Sequence, residues 1–295
     1  MTASQITGVG TAMITPFNKD GAVDFAKLAD FTEFQIEGGV HFLVPMGTTG
    51  ESVTLSGEEQ VEVIKTTLKV AEGRVPVLAG CGGNNTAALI SKGKQLKDAG
   101  VEQILSVSPY YNKPTQEGIY QHFKAIRKET GLDIVLYNIP GRTGSNVLPE
   151  TLARLAEEKI IFGVKESTGD IKQIQQLCQL TGDSLKVLSG DDWMTLALCS
   201  VGGEGVISVA SNVVPGPLRE YMNALHGKDF DRARVLLKPL LPLFDALFVE
   251  SNPGPVKGAA SLLGLMDANF RLPMVPPSES TMHVVQQALA PFRGK

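Results

Sequence analysis

Apolar positions along this chain keep two rhythms in alternation. Short runs rich in β-branched and small apolar residues fall at 8–15, 39–45, 75–81, 103–108, 133–137, 160–166, 185–190 and 205–210. Between them, apolar residues recur at helical spacing over 25–37, 57–72, 86–99, 116–130, 149–158, 171–181 and 193–200. Cap signals support two of the helices: Asp24 precedes the first, and Ser56 with Glu59 three residues on has the form of a capping box. Many of the short runs are apolar continuously, as expected of a strand covered by protein on both faces. Eight strand–helix repeats in strict succession predict an α/β fold closed into a (β/α)8 TIM barrel. An open doubly wound sheet is the rival architecture. It would carry a glycine fingerprint after the first strand, where this chain has Thr15-Pro16-Phe17.

Past residue 210 the rhythm changes. Helical patterns at 218–226, 229–247, 255–263 and 280–292 follow one another, punctuated by Pro239, Pro242, Pro253, Pro273, Pro276 and Pro277. One closing helix completes the barrel, so residues 1–224 are expected to form the catalytic barrel and 225–295 a C-terminal helical extension. The apolar faces of that extension need a partner, either the barrel or another subunit.

In such a barrel the chemistry collects at the C-terminal ends of the strands. The sixth run, Ile160-Ile161-Phe162-Gly163-Val164, ends abruptly in Lys165. A buried ammonium loses hydration, which favours the neutral amine, and a neutral lysine amine is a nucleophile towards ketones. The ordinary alternative is a strand-end lysine pointing into water. After the second run comes Gly47-Thr48-Thr49-Gly50-Glu51, whose glycines, hydroxyls and free N–H groups suit a small carboxylate, unless it is a plain turn. After the fourth come the adjacent phenols Tyr110 and Tyr111, equally readable as interface aromatics. After the fifth, Tyr137 ends a strand and Arg142 sits in a Gly-rich loop, a place for a proton relay beside a carboxylate clamp. Small residues around Gly190 and Ser208 leave room for a ligand. An amine, phenols, hydroxyls and an arginine gathered at one end of one barrel point to a Schiff-base site.

Composition narrows the partners. The 295 residues are 43% hydrophobic and 20% charged, with 27 basic against 31 acidic side chains and a net charge of −4. No basic run stands out, so neither nucleic acid nor an anionic membrane is expected as a partner, whereas a small anion held by a few local cations is compatible. Cys81, Cys178 and Cys199 form no CxxC pair, and with the four scattered histidines they give no metal-ligand spacing. The N-terminus lacks a basic region followed by an apolar core, and no apolar stretch approaches about 18 residues. A soluble cytoplasmic protein with reduced thiols is expected.

From about Gly8 to beyond Lys257, these motifs in this order resemble the dihydrodipicolinate synthase branch of the pyruvate-dependent class I aldolase superfamily, which also contains N-acetylneuraminate lyase. The resemblance implies that Lys165, in Gly-Val-Lys-Glu, is the Schiff-base lysine and that Tyr137, in Tyr-Asn-Ile-Pro, is the acid/base phenol. Thr48 and Thr49 match the turn that holds the pyruvate carboxylate, Thr48 also linking the phenols. Tyr111 matches the relay tyrosine that reaches into a neighbouring subunit's site, and Arg142 the residue holding the carboxylate of L-aspartate 4-semialdehyde. Gly190 and Ile207 match positions lining the pyruvate pocket. Neither metal nor organic cofactor is implied, and the family's assembly is a homotetramer of two tight dimers. The Thr-Thr turn and Arg142-Thr143-Gly144 resemble the synthases; the lyases have a Ser-Thr turn and lack the arginine.

Two departures from the family pattern stand out. Asn252-Pro253-Gly254-Pro255-Val256-Lys257 replaces the usual Asn-Pro-Ile-Pro-Val-Lys, a change expected to alter a loop and no catalytic position. In the site where lysine inhibits many synthases, Ser52, Asn84 and Tyr110 match, but Gly57, Gln60 and Ala88 stand where histidine or glutamate occurs in sensitive members. An ammonium deprived of that carboxylate loses roughly 1.5–3 kcal/mol, so inhibition by lysine is expected to be weak or absent. The competing functional readings are a relative acting on a 2-keto sugar acid, against which Arg142 argues, and a non-catalytic keto-acid-binding barrel. A phosphate-handling isomerase would need a glycine-rich cradle after the last two strands, whereas Gly202-Gly203 precedes the eighth.

Overall fold

Eight parallel strands form a nearly closed (β/α)8 TIM barrel in the computed structural model, which describes residues 6–293. In chain order they are β1 (Gly8–Ala12), β2 (Phe42–Val44), β3 (Leu78–Gly80), β4 (Gln103–Val107), β5 (Asp133–Asn138), β6 (Gly163–Glu166), β7 (Lys186–Ser189) and β8 (Gly205–Ser208). Their order in the sheet is β2-β1-β8-β7-β6-β5-β4-β3. The chain divides into two compact units, one of Leu78–Ile207 with residues 6–7, the other of Gly8–Val77 with residues 208–293.

In the first unit each of β3 to β7 is followed by a helix, the long ones being Thr86–Asp98, Gln116–Thr130, Pro149–Glu157 and Ile171–Thr181. All five fall where the apolar spacing puts them, within two residues at either end, the largest difference being the helix after β7, which begins at Thr195 rather than at 193. The strand containing Lys165 is shorter than the apolar run that announces it. Ile160 and Ile161 both donate their N–H to Leu155 O, at 2.9 and 3.4 Å, which closes off the preceding helix. Pairing therefore starts only at Phe162, whose N–H reaches Ile134 O at 3.0 Å. Lys165 lies within β6, one residue before its end.

The second unit holds β1, β2 and the helices Phe25–Glu37 and Gly57–Ala71. Both predicted caps form: Asp24 accepts from the Lys27 N–H, and Ser56 and Glu59 exchange the two bonds of a capping box. The strand expected at 39–45 shrinks to Phe42–Val44 because Gly39 and Val40 spend their N–H groups on Ile36 O and Gln35 O at the end of the helix before it. After β8 come helices Pro215–His226, Phe230–Leu237, Leu241–Ala246, Gly254–Leu262 and Glu279–Leu289. The single helix expected over 229–247 is two, since Pro239 and Pro242 have no N–H to give and their rings crowd the preceding turn. Helix Gly254–Leu262 is buried without a break from Gly254 to Ala260, and its one charged residue is Lys257.

Candidate active site

Strand register sets the geometry around Lys165. In parallel pairing, matched residues project to the same face and successive residues alternate between faces. Tyr137 on β5 is matched to Lys165 on β6, and Asn138 to Glu166. On one face the Lys165 amine accordingly lies over the Tyr137 ring, 4.3 Å from its centroid. Both side chains are buried, Lys165 being 6% exposed and Tyr137 9%. Among the described residues no carboxylate comes within ion-pair distance of the amine. On the opposite face the Asn138 amide donates to Glu166 at 3.0 Å and the Thr168 N–H donates to its other oxygen at 2.7 Å. Burial pushes the Glu166 carboxyl above its ordinary value, against the pull of those donors.

Gly190 follows β7, where Leu188 is matched to Lys165. A Cβ on Gly190 would fall 1.9 Å from Ser167 Oγ and 2.8 Å from Lys165 Cε. The lysine chain thus occupies the space that a side chain would claim, which is why glycine is needed here. Ile207 is wholly buried on β8, two residues after Gly205, which is matched to Leu188, and it shares that face.

The loops after β4 and β5 carry the exposed groups. Tyr111 is 88% exposed and Tyr110 38%. Tyr111 holds φ +72 and Lys113 φ +44, conformations a bulky residue adopts only under constraint. The constraints are visible: the Tyr111 N–H donates to Thr143 O at 3.3 Å, and the Asn84 amide donates to Tyr110 O at 3.1 Å. Arg142 sits on a one-turn helix, Pro140–Thr143, that the apolar pattern gives no sign of. Its guanidinium is solvent-exposed and forms no ion pair among the described residues.

In the second unit the turn Gly47–Thr48–Thr49–Gly50–Glu51 folds back on itself through Gly50 N–H to Gly47 O, 3.1 Å, and Glu51 N–H to Thr48 O, 3.0 Å. The N–H groups of Thr48 and Thr49 have no acceptor among the described residues, so two donors remain on offer to an anion. Thr48 is exposed and Thr49 buried. The turn is anchored at three points. Thr15 donates its hydroxyl to Gly50 O at 2.7 Å, the Asn252 amide donates to Thr49 Oγ1 at 2.9 Å, and Lys257 Nζ donates to Glu51 Oε1 at 2.7 Å. The last is an ion pair sealed from water, its side chains 0% and 1% exposed. Burial pushes the Lys257 amine down to about 8 despite Glu51, while the Phe17 ring lies 4.0 Å from it. Arg271 closes the cluster: its N–H donates to Glu51, and its guanidinium forms two bonds to Glu59, which it holds down to about 2.

The residues singled out from sequence therefore fall into two groups. Lys165, Tyr137 and Ile207 share one face of neighbouring strands with Gly190 just after β7, while Tyr110, Tyr111 and Asn84 lie on loops of the same unit and Arg142 on its one-turn helix. Thr48, Thr49 and Ser52 belong to the other unit, Ser52 accepting from the Gln60 amide through its carbonyl at 3.0 Å. Sequence reasoning missed Asn138 and Glu166, although the two-residue alternation that faces Tyr137 and Lys165 one way turns these the other way. It missed Asn252, Glu51 and Lys257 as well. A lysine inside an otherwise apolar helical stretch was the available signal.

The fold places the chain in the class of (β/α)8 TIM barrels, with a buried lysine amine on its sixth strand. The chain belongs to the Dihydrodipicolinate synthetase family, whose model matches residues 5–291. It is 50% identical over 273 residues to 4-hydroxy-tetrahydrodipicolinate synthase of Koribacter versatilis, covering 92% of this chain and 91% of that one. Among solved structures, dihydrodipicolinate synthase of Thermotoga maritima superposes with a TM-score of 0.94 at 44% identity, covering 97% of this chain and 98% of that chain. The chloride-inhibited enzyme of Acinetobacter baumannii in complex with pyruvate gives 0.94 at 43% identity, over 96% and 98% of the two chains. No helix among the described residues is long and apolar enough to cross a membrane.

Proposed function

We propose that this enzyme is a lyase of lysine and diaminopimelate biosynthesis, condensing pyruvate with L-aspartate 4-semialdehyde to 4-hydroxy-tetrahydrodipicolinate. The observation carrying the reading is the Lys165 amine, buried against the Tyr137 ring with no carboxylate partner among the described residues. Lys165 attacks the C2 ketone of pyruvate, and the carbinolamine loses water to give an imine. Tyr137 relays the proton lost from C3 as the imine becomes an enamine. Thr48 and Thr49 receive the pyruvate carboxylate, and Gly190 and Ile207 line its pocket. C3 of the enamine then adds to the aldehyde carbon of the second substrate, whose oxygen takes up a proton to become the 4-hydroxyl. Arg142 holds that substrate's carboxylate. Its amino group attacks C2, displaces Lys165 and closes the ring.

Borohydride reduction in the presence of pyruvate, followed by peptide mapping, tests this. The expected result is a single adduct on Lys165, heavier by one pyruvate less one oxygen atom. An unchanged mass, or an adduct elsewhere, overturns the reading. Assays with the semialdehyde and with a sugar aldehyde separate the synthase from a keto-sugar-acid lyase, and Arg142→Ala should impair only the former.

Three further readings belong to the same proposal. The enzyme is a cytoplasmic homotetramer, a dimer of dimers in which the exposed Tyr111 completes a neighbour's site. Residues 1–224 act as the catalytic barrel and 225–295 as an extension. Inhibition by lysine is weak, supported by the Gln60 amide being spent on Ser52 O and Leu55 O. Potent inhibition at submillimolar lysine would contradict the last.

A further inference from the structure

We propose that Asn252 is a positioning residue for pyruvate binding: it fixes the Thr49 hydroxyl as a donor towards the substrate carboxylate. This rests on the assignment of the Thr48-Thr49 turn as the carboxylate site. A threonine hydroxyl has one proton to donate and two lone pairs to accept with. Left alone, it rotates, and its proton serves whichever acceptor is nearest. At Thr49 one lone pair is taken by the Asn252 amide at 2.9 Å, and an NH2 group can only donate. The hydroxyl proton is therefore turned away from Asn252, and among the described residues nothing accepts it. It joins the free N–H groups of Thr48 and Thr49 as a third donor on the same turn.

The surroundings make this a built arrangement. Thr49 is 4% exposed and Asn252 7%, so water does not freely compete for either group. The turn cannot drift away from Asn252, because Thr15 fixes Gly50 and the sealed Lys257 ion pair fixes Glu51 on either side of the same loop. Asn252 and Lys257 flank the start of one buried helix, so that helix holds the turn twice. Asn252 Oδ1, buried, has no partner among the described residues. The amide is thus oriented by its single bond to Thr49, and leaving Oδ1 unsatisfied has a cost that a purely structural side chain would not be expected to bear.

The test is a double-mutant cycle between Asn252 and Thr49, read as apparent KM for pyruvate, kcat, and the pyruvate concentration that half-saturates borohydride trapping. Asn252→Ala should raise KM and the trapping midpoint about 2- to 10-fold with kcat little changed, the range set by one neutral hydrogen bond. Asn252→Asp should do more, on the order of 100-fold, because a carboxylate captures the Thr49 proton and repels the substrate anion. In the Thr49→Val background Asn252→Ala should add nothing further. Asn252→Ser, which keeps a small donor, should recover part of the loss. Thermal midpoints identify any variant that fails to fold, and the serine variant then carries the measurement in place of alanine. Additive effects, an unchanged KM, or a fall in kcat alone would overturn the assignment of Asn252 while wild-type trapping on Lys165 still stands. Absence of trapping in the wild type would overturn both.

Discussion

Two lysines, Lys165 and Lys257, are buried among the described residues, and their surroundings differ in one respect. Lys257 stands on the buried helix Gly254–Leu262 and faces Glu51 at 2.7 Å, with the Arg271 backbone N–H also donating to that carboxylate and the rings of Phe17 and Phe270 beside the amine. Lys165 faces the Tyr137 ring and, among the described residues, has no carboxylate within ion-pair distance. An amine locked to a carboxylate has its lone pair tied up as an ammonium and its position fixed, so Lys257 is a fastener. An amine in a buried place without a counter-charge is free to form a covalent bond, which is the role proposed above for Lys165. Burial alone does not mark a reactive lysine.

The sharpest way to break that contrast is to remove each amine in turn. Lys165→Ala should abolish adduct formation and lower kcat by at least about 10³-fold, with the fold intact, since no ion pair is lost. Activity close to wild type would refute the role. Lys257→Met should do the reverse, costing about 3–5 kcal/mol of stability by stranding Glu51 while any folded fraction still traps pyruvate on Lys165. Denaturant unfolding of Lys257→Met and of Glu51→Gln/Lys257→Met measures this. The double variant should regain most of the loss, and if it does not, the pair is no simple fastener.

Smaller effects sharpen the contrast. Gly190→Ala sets a methyl group against Lys165 Cε and Ser167 Oγ, so it should displace the amine and cut activity strongly for a stability cost of about 1–3 kcal/mol. Comparing kcat with the unfolding free energy separates the two. A pH dependence also follows from Lys257. Its amine sits at about 8 in the folded chain against 10.5 for an ordinary lysine. Between these values the unfolded chain binds a proton that the folded chain has released. The stability carried by this group therefore rises with pH across that window and is lost as pH falls through about 8. Thermal midpoints of the wild type and the Glu51→Gln/Lys257→Met variant between pH 7 and 11, roughly that span, should show the slope in the former only.

How much of this was readable beforehand follows from what each signal depends on. The strand–helix rhythm, the Ser56/Glu59 box and the Asp24 cap depend on residues a few places apart, and all appear as expected. Strand lengths were overestimated at 39–45 and 160–166 because an apolar residue looks the same whether its N–H enters a ladder or closes a helix, as Val40 and Ile160 do. Arg142 stands out in the sequence by its charge, but the turn of helix beneath it has too few residues to show a period. Glu166 carries no such signal beside Lys165, though adjacent residues on a strand must face opposite ways.

The sequence by itself determined the order and type of the elements, the barrel they build and the strand on which a buried amine would stand, because local periodicity, caps and prolines set these. Only the tertiary structure decided which buried lysine has a counter-charge. Glu51 is 206 positions from Lys257, and Thr49 is 203 from Asn252. Coulomb attraction and hydrogen bonding act over a few ångströms of space, to which separation along the chain is no guide.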